Sequence, residues 1–472
     1  MARRRRQVGL SRARVRRGGP AGVAALALLV TGLAACDAGG SPEPPEPSGP
    51  TTATPAQLTF GAYGPKDQLD ALADVTEEFN TLYEPAEVEM ETWANDDELI
   101  EALKAGEDVP DVFTVSREDL AWLLQEKLTQ PVDQLLDERG VDFGDNYSRD
   151  GIEAFSAENR LQCMPYGISP MVIFYNKDLV DFDRMERRGL DVPAEAEEGE
   201  GRLTWNFDQF AAAADFATRP RRGTKGVYVA PTLEGLAPFI YSGGGQMFDD
   251  ENDPKSLAFS DDGTKDALER SLELFRSPTL TLSEDQLEEL TPLQWFRRGK
   301  LGMLAGYREL VPGLRRVQGL DFDVIAMPNL ETPATVGQVT GLCMSADAAS
   351  APAAADFMVH LLDTPAAAHV TNAGYLVPAN IEVAVSDDFL QPGRLPITAQ
   401  VFNASVRNIV FPPLLSTWPE LEAAVTDDLD RLFNQPILDN LDELTEQIDE
   451  DSRTVLDPES VSPSASESDS AS

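Results

Sequence analysis

Short apolar runs and longer amphipathic runs alternate along residues 57–450. Residues 58–63 and 88–93 alternate apolar with polar side chains in the manner of strands, and residues 111–115 form a third short apolar run. The run between the first two, residues 67–83, places its apolar side chains at helical spacing. This strand–helix–strand order predicts an α/β fold with a largely parallel sheet.

The same order resumes further along the chain. Strands are predicted over residues 171–175 and 226–229, with a helix over residues 207–217 between them. Asn206 or Thr204 is placed to cap the start of that helix. In such folds ligands bind beyond the carboxyl ends of the strands, so residues that directly follow strands are the first candidates for a binding site.

The N-terminal segment has a different pattern. Residues 3–17 contain eight arginines and no acidic residue, and an apolar run follows at residues 21–33. That run is shorter than the roughly 20 apolar residues of a membrane-spanning helix, and its length is typical of a signal peptide. It ends in Leu-Ala-Ala-Cys at residues 33–36, which resembles the lipobox of bacterial lipoproteins. We therefore expect residues 1–35 to be removed as a signal peptide, and Cys36 to carry a lipid that anchors the chain to the extracytoplasmic face of the cell membrane.

Two questions about export stay open at this point. The alternative to a lipobox is an ordinary secretory signal that happens to end near a cysteine. Arg16 and Arg17 stand just before the apolar run, so twin-arginine export is an alternative to general secretion, although the surrounding residues match that signal poorly.

Low-complexity segments flank the body. Residues 36–56 are rich in Pro, Gly, Ser, Thr and Glu and are predicted to form a disordered tether, because they offer almost nothing to bury. Residues 451–472 are rich in Ser and acidic residues and are predicted to be a disordered tail. The body between them, residues 57–450, is longer than one simple core usually supports, which indicates two domains.

The net charge of the chain is −43. Removing the eight arginines of residues 3–17 from the 38 basic residues leaves 30 against 81 acidic residues, a net charge of −51. A surface this negative repels nucleic acid and anionic lipid, so binding to a nucleic-acid backbone is excluded as a function. The same charge is typical of a soluble, monomeric exported protein.

The sequence predicts no cofactor and no metal site. Cys163 and Cys343 remain after lipidation of Cys36, and in an oxidising compartment they either pair or stay free. No CxxC or Cys/His cluster occurs. The acidic loop at residues 249–253 lacks the central glycine and distal glutamate of a calcium loop, which favours a solvated turn.

Enzymatic function is the main alternative to a binding function. His360 and His369 lie on an Ala-rich amphipathic stretch, and no GxSxG, Walker or HExxH motif is present. A glycosidase that uses a pair of carboxylates stays open, because acidic residues are frequent and their separation cannot be read from the sequence. A surface adhesin or sensor with a binding-protein fold is the third class.

Six segments occur in the order and spacing of one protein family. They are Val-Pro-Asp-Val-Phe at 109–113, Met-Pro-Tyr-Gly at 164–167 with Phe-Tyr-Asn-Lys-Asp-Leu at 174–179, Thr-Trp-Asn-Phe-Asp-Gln-Phe at 204–210, Gly-Gly-Gly-Gln-Met-Phe-Asp at 243–249, Phe-Arg-Arg-Gly-Lys-Leu-Gly-Met at 296–303, and Gly-Tyr-Leu-Val-Pro-Ala at 374–379. Together they resemble the extracellular solute-binding proteins of ABC importers, specifically the carbohydrate-type family that includes the maltodextrin binders. The resemblance covers nearly the whole body.

The resemblance implies a two-lobed, periplasmic-binding-protein-like α/β fold with the ligand in a cleft between the lobes. Lobe 1 would comprise residues 57–167 and 344–383, and lobe 2 residues 168–343 and 384–450. Binding would stabilise the closed form by contacting both lobes at once, and the membrane permease would recognise that form.

The resemblance also places two strands side by side at the hinge. One would contain Cys163 and the other Cys343, so we expect a disulfide between them if the register is right. The alternative is two buried free cysteines. Hinge pivots are expected near Gly167–Ile168 and Gly341–Leu342.

Candidate ligand-binding residues come from the resemblance and from the ends of the predicted strands. A sugar requires aromatic faces for its ring and polar groups for its hydroxyls. The candidates are Tyr63, Lys66 and Asp67 after the first strand, Ser116, Arg117 and Glu118 after another, Ser169 at the first crossing, Gly243, Gly244 and Gly245 in the glycine turn, Tyr307 and Arg308 after residues 303–306, and Trp418 at the start of a helix. Tyr307 and Trp418 lie either in the cleft or in the core, and the glycine turn is either a ligand loop or a tight structural loop.

The resulting hypothesis is a lipid-anchored binding protein that captures a small solute and delivers it to ABC permease subunits. A sugar is favoured by the resemblance, but glycerol phosphates, polyamines and other polar solutes bind related folds. Lys66, Arg117 or Arg308 would be the local partner of an anionic ligand.

Overall fold

The computed structural model describes residues 55–144, 146–196, 201–434 and 440–461. The predicted signal peptide, the lipidation site at Cys36 and nearly all of the tether lie outside these residues. Within the described ranges, no helix has the length and apolar character needed to cross a membrane. The described residues belong to one compact unit.

The strands and helices alternate for most of the body. The strands are β1 (Ala56–Tyr63), β2 (Ala86–Trp93), β3 (Val112–Ser116), β4 (Thr129–Gln130), β5 (Ser156–Ala157), β6 (Arg160–Leu161), β7 (Cys163–Pro170), β8 (Val172–Asn176), β9 (Lys225–Tyr228), β10 (Leu301–Gly306), β11 (Phe322–Ala326) and β12 (Gly337–Ser345). The helices are α1 (Lys66–Leu82), α2 (Asp96–Lys104), α3 (Leu120–Gln125), α4 (Asp133–Asp137), α5 (Arg149–Ala154), α6 (Phe182–Glu186), α7 (Phe207–Ala217), α8 (Leu233–Ser242), α9 (Asp262–Phe275), α10 (Glu284–Glu289), α11 (Pro292–Arg297), α12 (Leu310–Arg315), α13 (Ala351–Leu362), α14 (Thr364–Asn372), α15 (Ile381–Ala384), α16 (Asp387–Leu390), α17 (Gln400–Val406), α18 (Trp418–Asn434), α19 (Leu441–Leu456) and α20 (Pro458–Val461). Residues Arg117–Asp119 and Pro220–Arg222 form single 3₁₀ turns.

The first lobe is built on a mixed sheet in the order β2-β1-β3-β12-β4, with β7 also paired to β12. Strand β1 runs parallel to β2 and β3, whereas β12 runs antiparallel to β3, β4 and β7. Helices α1 and α13 pack beside this sheet, where Phe79 and Phe357 meet edge to face at 5.1 Å. The apolar faces of the predicted elements therefore form one core, because alternating strands and amphipathic helices bury them against each other.

The second lobe has its own sheet, in the order β11-β8-β10-β9. Strands β9 and β10 are parallel, and β8 is antiparallel to both β10 and β11. Both sheet faces are covered: α7, α8, α9, α18 and α19 contribute to the core on one face, and α11, α12, α16 and α17 contribute to the core on the other. The second sheet is thus buried on both sides, which explains the continuous apolar run of β8.

Helix α7 shows how local sequence fixes one of these elements. The Asn206 side chain accepts a hydrogen bond from the Gln209 amide at 2.8 Å, and the Gln209 side chain accepts one from the Asn206 amide at 3.1 Å. This reciprocal capping box satisfies two amide groups that the first helical turn leaves without partners. Of the two predicted capping residues, the structure therefore uses Asn206.

Two of the connections between the lobes run through β7 and β12, and a third lies between Ala379 of the first core and Phe389 of the second lobe. Thr340 opposes Gly167 and Gly341 opposes Pro165, so Tyr166 is an extra residue and forms a β-bulge. The predicted pivots at Gly167 and Gly341 lie on either side of this bulge. A Cβ atom at Gly341 would stand 2.7 Å from the Phe155 ring, which explains why glycine occupies that position.

The predicted lobe boundaries need one shift. Residues 168–170 and 337–343 belong to strands β7 and β12, which are paired within the sheet of the first lobe. The chain enters the second lobe only at Met171, where β7 ends and β8 begins. Helix α19 continues to Leu456, so the prediction of a disordered tail starting at residue 451 was wrong for residues 451–461.

Cys163 and Cys343 are joined by a disulfide in the structure. The two residues oppose each other directly in the β7–β12 pair, with their Cα atoms 4.3 Å apart and 180 positions apart in the chain. Both side chains are fully buried. The register expected for the hinge strands is the one observed, and the cross-link fastens the two strands that connect the lobes.

Candidate functional site

A cavity of about 310 Å³ lies between the lobes, beside the hinge. The first lobe contributes Tyr63, Asp96, Ser116 and Glu118 to its wall, and the second contributes Tyr307 and Glu309. Strands β7 and β12 and residues 375–377 form its floor. A ligand here would touch both lobes and the hinge at once, which is the arrangement needed to couple binding to lobe closure.

A second chamber of about 140 Å³ adjoins the first and shares Glu118 with it. Its wall comes mainly from the second lobe, through Glu234 and Tyr241 of α8 and Trp418 and Glu422 of α18. The two chambers together are called the cleft below. The second chamber is the more apolar of the two because Met247 and Phe248 also line it.

Topology explains why the cleft forms where it does. Strands β1, β2 and β3 are parallel, so their carboxyl ends meet at one edge of the sheet. Tyr63 ends β1, Asp96 follows β2 at the start of α2, and Ser116 ends β3. Strand β10 of the second lobe delivers Tyr307 to the opposite wall in the same way.

Carboxylates dominate the charge of the cleft. Asp96, Glu118 and Glu309 line the first chamber, and Glu118, Glu234 and Glu422 line the second. Among the described residues that line the two chambers, none is a lysine or an arginine. Because a carboxylate only accepts hydrogen bonds, the cleft is best suited to a ligand that is rich in donors.

The carboxylates raise one another's pKa values. The Glu118 side chain keeps contact with solvent, but the protein groups around it in the cleft desolvate its carboxyl. This desolvation, followed by the negative charges of Glu234, Asp119, Asp96 and Glu422, raises the pKa of Glu118 to about 7. Burial, followed by the charge of Asp96, raises the pKa of Asp119 to about 7 as well. Near neutral pH the cleft therefore holds a mixture of ionised and protonated carboxyl groups.

Aromatic side chains stand next to these carboxyl groups. The Tyr307 hydroxyl donates a hydrogen bond to Glu234, which opposes the increase that burial causes in the pKa of that carboxyl. Trp418 stands one helical turn before Glu422 on α18 and opposes the increase that burial causes in the pKa of that carboxyl. The Tyr241 hydroxyl is buried without a hydrogen-bond partner among the described residues. Flat apolar faces and fixed polar groups thus alternate along the wall.

The pKa of Glu118 gives the stability of the protein a predictable pH dependence. The group has an ordinary pKa of 4.5 and a folded-state pKa of about 7, so the folded state binds more protons between these values. Stability should therefore fall modestly as the pH rises through that window, because solvent screens the exposed carboxyl and limits the size of the effect. Denaturant unfolding at a series of pH values measures this, and Glu118→Gln should make the decrease smaller.

The matched control for that measurement is Glu153→Gln, which alters an exposed carboxyl in an ion pair with Arg149 on the first lobe. This variant should show the same dependence of stability on pH as the parent protein. A Glu118→Gln variant with the same pH dependence as the parent would contradict the proposed electrostatic coupling in the cleft.

Six of the sequence-predicted residues line the cleft. Tyr63, Ser116, Glu118, Ser169 and Tyr307 line the first chamber, and Glu118 and Trp418 line the second. Tyr307 is only 6% exposed and also belongs to the core of the second lobe, so it combines the two roles that the sequence left open. The Ser169 hydroxyl accepts a hydrogen bond from the Arg308 amide at 3.1 Å.

Three predicted residues lie near the cleft but outside its lining. Lys66 is exposed and forms an ion pair with Asp70 one helical turn away. Asp67 pairs with Arg316 at 3.1 Å and thereby bridges the two lobes at the surface. Arg117 turns away, with its guanidinium over the Phe411 ring in a neighbouring surface pocket.

The structure assigns other roles to the glycine turn and to Arg308. A Cβ atom at Gly243 would stand 2.5 Å from Ala267, and one at Gly245 would stand 2.7 Å from Thr264, so the turn allows α8 and α9 to pack closely. Gly244 has a φ of +85°. Arg308 is fully buried and donates hydrogen bonds to the Gly374 and Phe389 carbonyls, so it is not available to a ligand.

Sequence reasoning missed several residues of the cleft. Asp96 follows β2 closely, as Lys66 and Asp67 follow β1, so the rule about strand ends would have found it had it been applied to every strand. Glu234 lies in the first turn of α8, shortly after β9, and offers the same signal. Tyr375 lies within the segment 374–379 that supports the resemblance, so that segment was a signal for it. The position of Glu422 depends on long-range packing, and the local sequence gives no sign of it.

The described part of the chain contains no group of three or more His, Cys, Asp or Glu side chains placed to hold a metal ion. The cleft carboxylates are spread over both chambers and alternate with aromatic groups. The arrangement suits hydrogen bonding to a ligand with several polar groups.

Comparisons with solved structures identify the architecture. The chain superposes on an ABC substrate-binding protein from Listeria monocytogenes in complex with cycloalternan, with a TM-score of 0.70 and 18% identity over 86% of this chain and 99% of that one. The GacH receptor of Streptomyces glaucescens, studied with acarbose, gives a TM-score of 0.67 and 17% identity over 85% and 98% of the two chains. The cyclic alpha-maltosyl-1,6-maltose binding protein of Arthrobacter globiformis gives 0.66 and 16% over 85% and 99%.

Sequence comparison gives the family. No curated protein sequence matches the chain significantly. The family model for bacterial extracellular solute-binding proteins matches residues 74–396, which is more than half of the chain and includes parts of both lobes and the hinge. The chain therefore belongs to the bacterial extracellular solute-binding protein family, and its role is to bind a solute.

Proposed function

We propose that the solute is a carbohydrate and that the protein delivers it to an ABC permease. The observation that supports this most directly is the wall of the cleft, where Tyr63, Tyr307 and Trp418 stand among carboxyl groups. Aromatic faces suit the apolar side of a sugar ring, and carboxylates accept hydrogen bonds from its hydroxyls. The structural relatives in complex with cycloalternan and with acarbose are consistent with this choice.

Closure of the lobes would complete the site. Glu118 projects from the first lobe between both chambers, and Tyr307 and Glu234 face it from the second. A ligand that contacts these groups together favours the closed form by its extra contacts there. Two of the chain crossings between the lobes run through β7 and β12, which the disulfide keeps in register.

The lipid on Cys36 and the tether remain part of this proposal. A lipid anchor followed by a flexible segment keeps the body close to the membrane, where permease subunits recognise the closed form. A catalytic role is not part of it. The carboxylates of the cleft are proposed to bind hydroxyls, and the neighbouring structures are those of binding proteins.

A thermal-shift screen of mono- and oligosaccharides tests the carbohydrate proposal. A sugar at 100 times its dissociation constant should stabilise the protein by about 2.7 kcal/mol. Small-angle scattering with the same sugar should show a smaller radius of gyration, because the lobes close on it. A screen in which no sugar shifts the melting temperature but another solute class does would reject the carbohydrate proposal.

Two tryptophan variants show whether a sugar that binds does so in this cleft. Trp418→Ala removes an aromatic face from the second chamber and should weaken binding by about 0.5–1.5 kcal/mol beyond the loss of buried area. Trp122→Ala removes a partly buried tryptophan that packs under Lys104 in the first lobe and does not line the cleft. Equal affinities in both variants, measured by calorimetry, would place the sugar elsewhere.

A further inference from the structure

A dense group of arginines stands on the second lobe, away from the cleft. The arginine patch consists of Arg184, Arg188, Arg219, Arg221 and Arg222, which line a shallow surface pocket of about 760 Å³. They come from three places in the sequence. Arg184 lies in α6 and Arg188 two residues after its end, Arg219 lies two residues after α7, and Arg221 and Arg222 lie in the 3₁₀ turn before β9. The fold therefore assembles the patch.

The patch is unusual because of the charge around it. The chain without residues 1–35 has 30 basic and 81 acidic residues, and five of those basic residues share this one pocket. None of the five forms an ion pair with a carboxylate among the described residues, and Asp215 is the one acidic side chain in the lining. Partial burial and then the charges of Arg222, Arg184 and Arg188 lower the pKa of Arg219, and the charge of Asp178 offsets part of this decrease.

An apolar centre accompanies the positive charge. The Arg188 guanidinium lies 5.0 Å from the centre of the Phe216 ring, and that of Arg184 lies 5.9 Å from it. Leu190 belongs to the same pocket and is 38% exposed, although large apolar side chains are seldom exposed in this protein. A ring of guanidinium groups around an apolar centre matches a surface that is anionic outside and apolar beneath.

The position of the patch relative to the cleft follows from β10. The Lys300 ammonium, just before β10, donates a hydrogen bond to the Arg222 carbonyl at 2.9 Å. Tyr307 follows the other end of the same strand and lines the cleft. At about 3.3 Å per residue, the patch and the cleft are separated by roughly 20 Å along the second sheet.

We propose that the arginine patch docks the second lobe on an anionic phospholipid surface. The guanidinium groups would bind phosphate oxygens, and Phe216 and Leu190 would contact the acyl boundary. Because the cleft lies at the opposite end of the sheet, docking leaves it open to solute. Net charge alone predicts repulsion from such a surface, and the patch is a local exception to that expectation.

The apolar centre is the reason for choosing a lipid surface over a soluble anion. Inorganic phosphate would use the guanidinium groups but would gain nothing from an exposed leucine. The inference does not depend on which solute the cleft binds. It concerns a surface outside the cleft and is tested without a solute.

Sedimentation with vesicles tests the docking. The chain from residue 53 onward is used, because it forms a compact unit containing all three hydrophobic cores and lacks the arginine-rich N-terminus. It should bind vesicles of equimolar phosphatidylcholine and phosphatidylglycerol, bind pure phosphatidylcholine vesicles much less, and lose binding as salt is added. Arg221→Ser with Arg222→Ser should weaken binding roughly thirtyfold, since each arginine near such a surface contributes a factor of about five.

The matched control is Arg149→Ser with Arg453→Ser, two exposed arginines outside the patch, which should bind as the parent does. Leu190→Ser should weaken vesicle binding without changing any binding of inorganic phosphate. Failure of the parent to bind anionic vesicles at low salt would overturn the proposal. Equal losses of vesicle binding in the patch and control variants would also overturn it. So would a protein that binds inorganic phosphate or an acidic peptide equally well with and without Leu190→Ser but does not bind vesicles.

Discussion

Replacing Cys163 and Cys343 together by alanine should lower the free energy of unfolding by as much as about 5 kcal/mol. The disulfide closes a loop of 180 residues, which includes most of the second lobe. A cross-link of that length removes a large part of the conformational freedom of the unfolded chain. Denaturant unfolding of the oxidised parent and the double variant measures the difference.

Reduction of the parent supplies the control for this comparison. If the effect comes from the cross-link, a parent protein unfolded in the presence of reductant should resemble the double variant. Both side chains are fully buried, so alanine leaves a void at each position. The void is small because alanine lacks only the sulfur atom. A double variant that unfolds at the same denaturant concentration as the oxidised parent would show that the cross-link adds nothing to stability.

Removing the disulfide should change the affinity for the ligand much less than it changes the free energy of unfolding. The disulfide joins β7 to β12 within one sheet, at the start of the strand that leads to the hinge bulge. The predicted pivots at Gly167 and Gly341 lie at the bulge, and the disulfide lies in the sheet before them. We therefore expect the cross-link to hold the two strands in register without restraining closure. The double variant should therefore still close on its solute at temperatures where it remains folded.

The fold was largely predictable because its signals are local. Strand alternation at residues 58–63 and 88–93, and helical spacing between them, depend on one buried face per element and need no knowledge of the partner. The capping box at Asn206 is likewise complete within four residues. The lobe assignment required the resemblance, and it misplaced the ends of β7 and β12 because sheet pairing is a long-range property.

The site was only partly predictable for the same reason. Tyr63, Ser116 and Glu118 lie in the cleft because parallel strands end at one edge of a sheet, which the strand pattern alone implies. Position after a strand does not fix the direction of a side chain, and Lys66 and Arg117 turn towards partners that are adjacent only in the folded protein. The residues of the arginine patch come from separate segments of the chain, so no local sequence pattern indicates that they lie together.

Arg308 shows most clearly why the sequence alone does not identify every residue of the binding site. The sequence placed it beside Tyr307 as a ligand contact, but neighbouring residues at the end of a strand point to opposite sides. Tyr307 faces the cleft, whereas Arg308 is buried, with its guanidinium over the rings of Phe389 and Phe402 at 4.6 and 5.4 Å. Burial, followed by the charges of Arg315 and Arg394, lowers the pKa of Arg308 to about 9.

Arg308→Ala should therefore destabilise the protein by about 3–5 kcal/mol while leaving the cleft intact. The Arg308 side chain donates to the Gly374 carbonyl at 3.1 Å and to the Phe389 carbonyl at 3.0 Å, and truncation leaves both acceptors buried without a partner. It also opens a void the size of a large side chain.

Arg149→Ala, at an 88% exposed side chain, is the matched control and should change stability by less than about 0.5 kcal/mol. Calorimetric affinity for the solute, measured where each variant is fully folded, should stay within about threefold of the parent, because a residue that does not touch the ligand changes only the scaffold. An Arg308→Ala variant that keeps its stability but loses its solute would return Arg308 to the binding site.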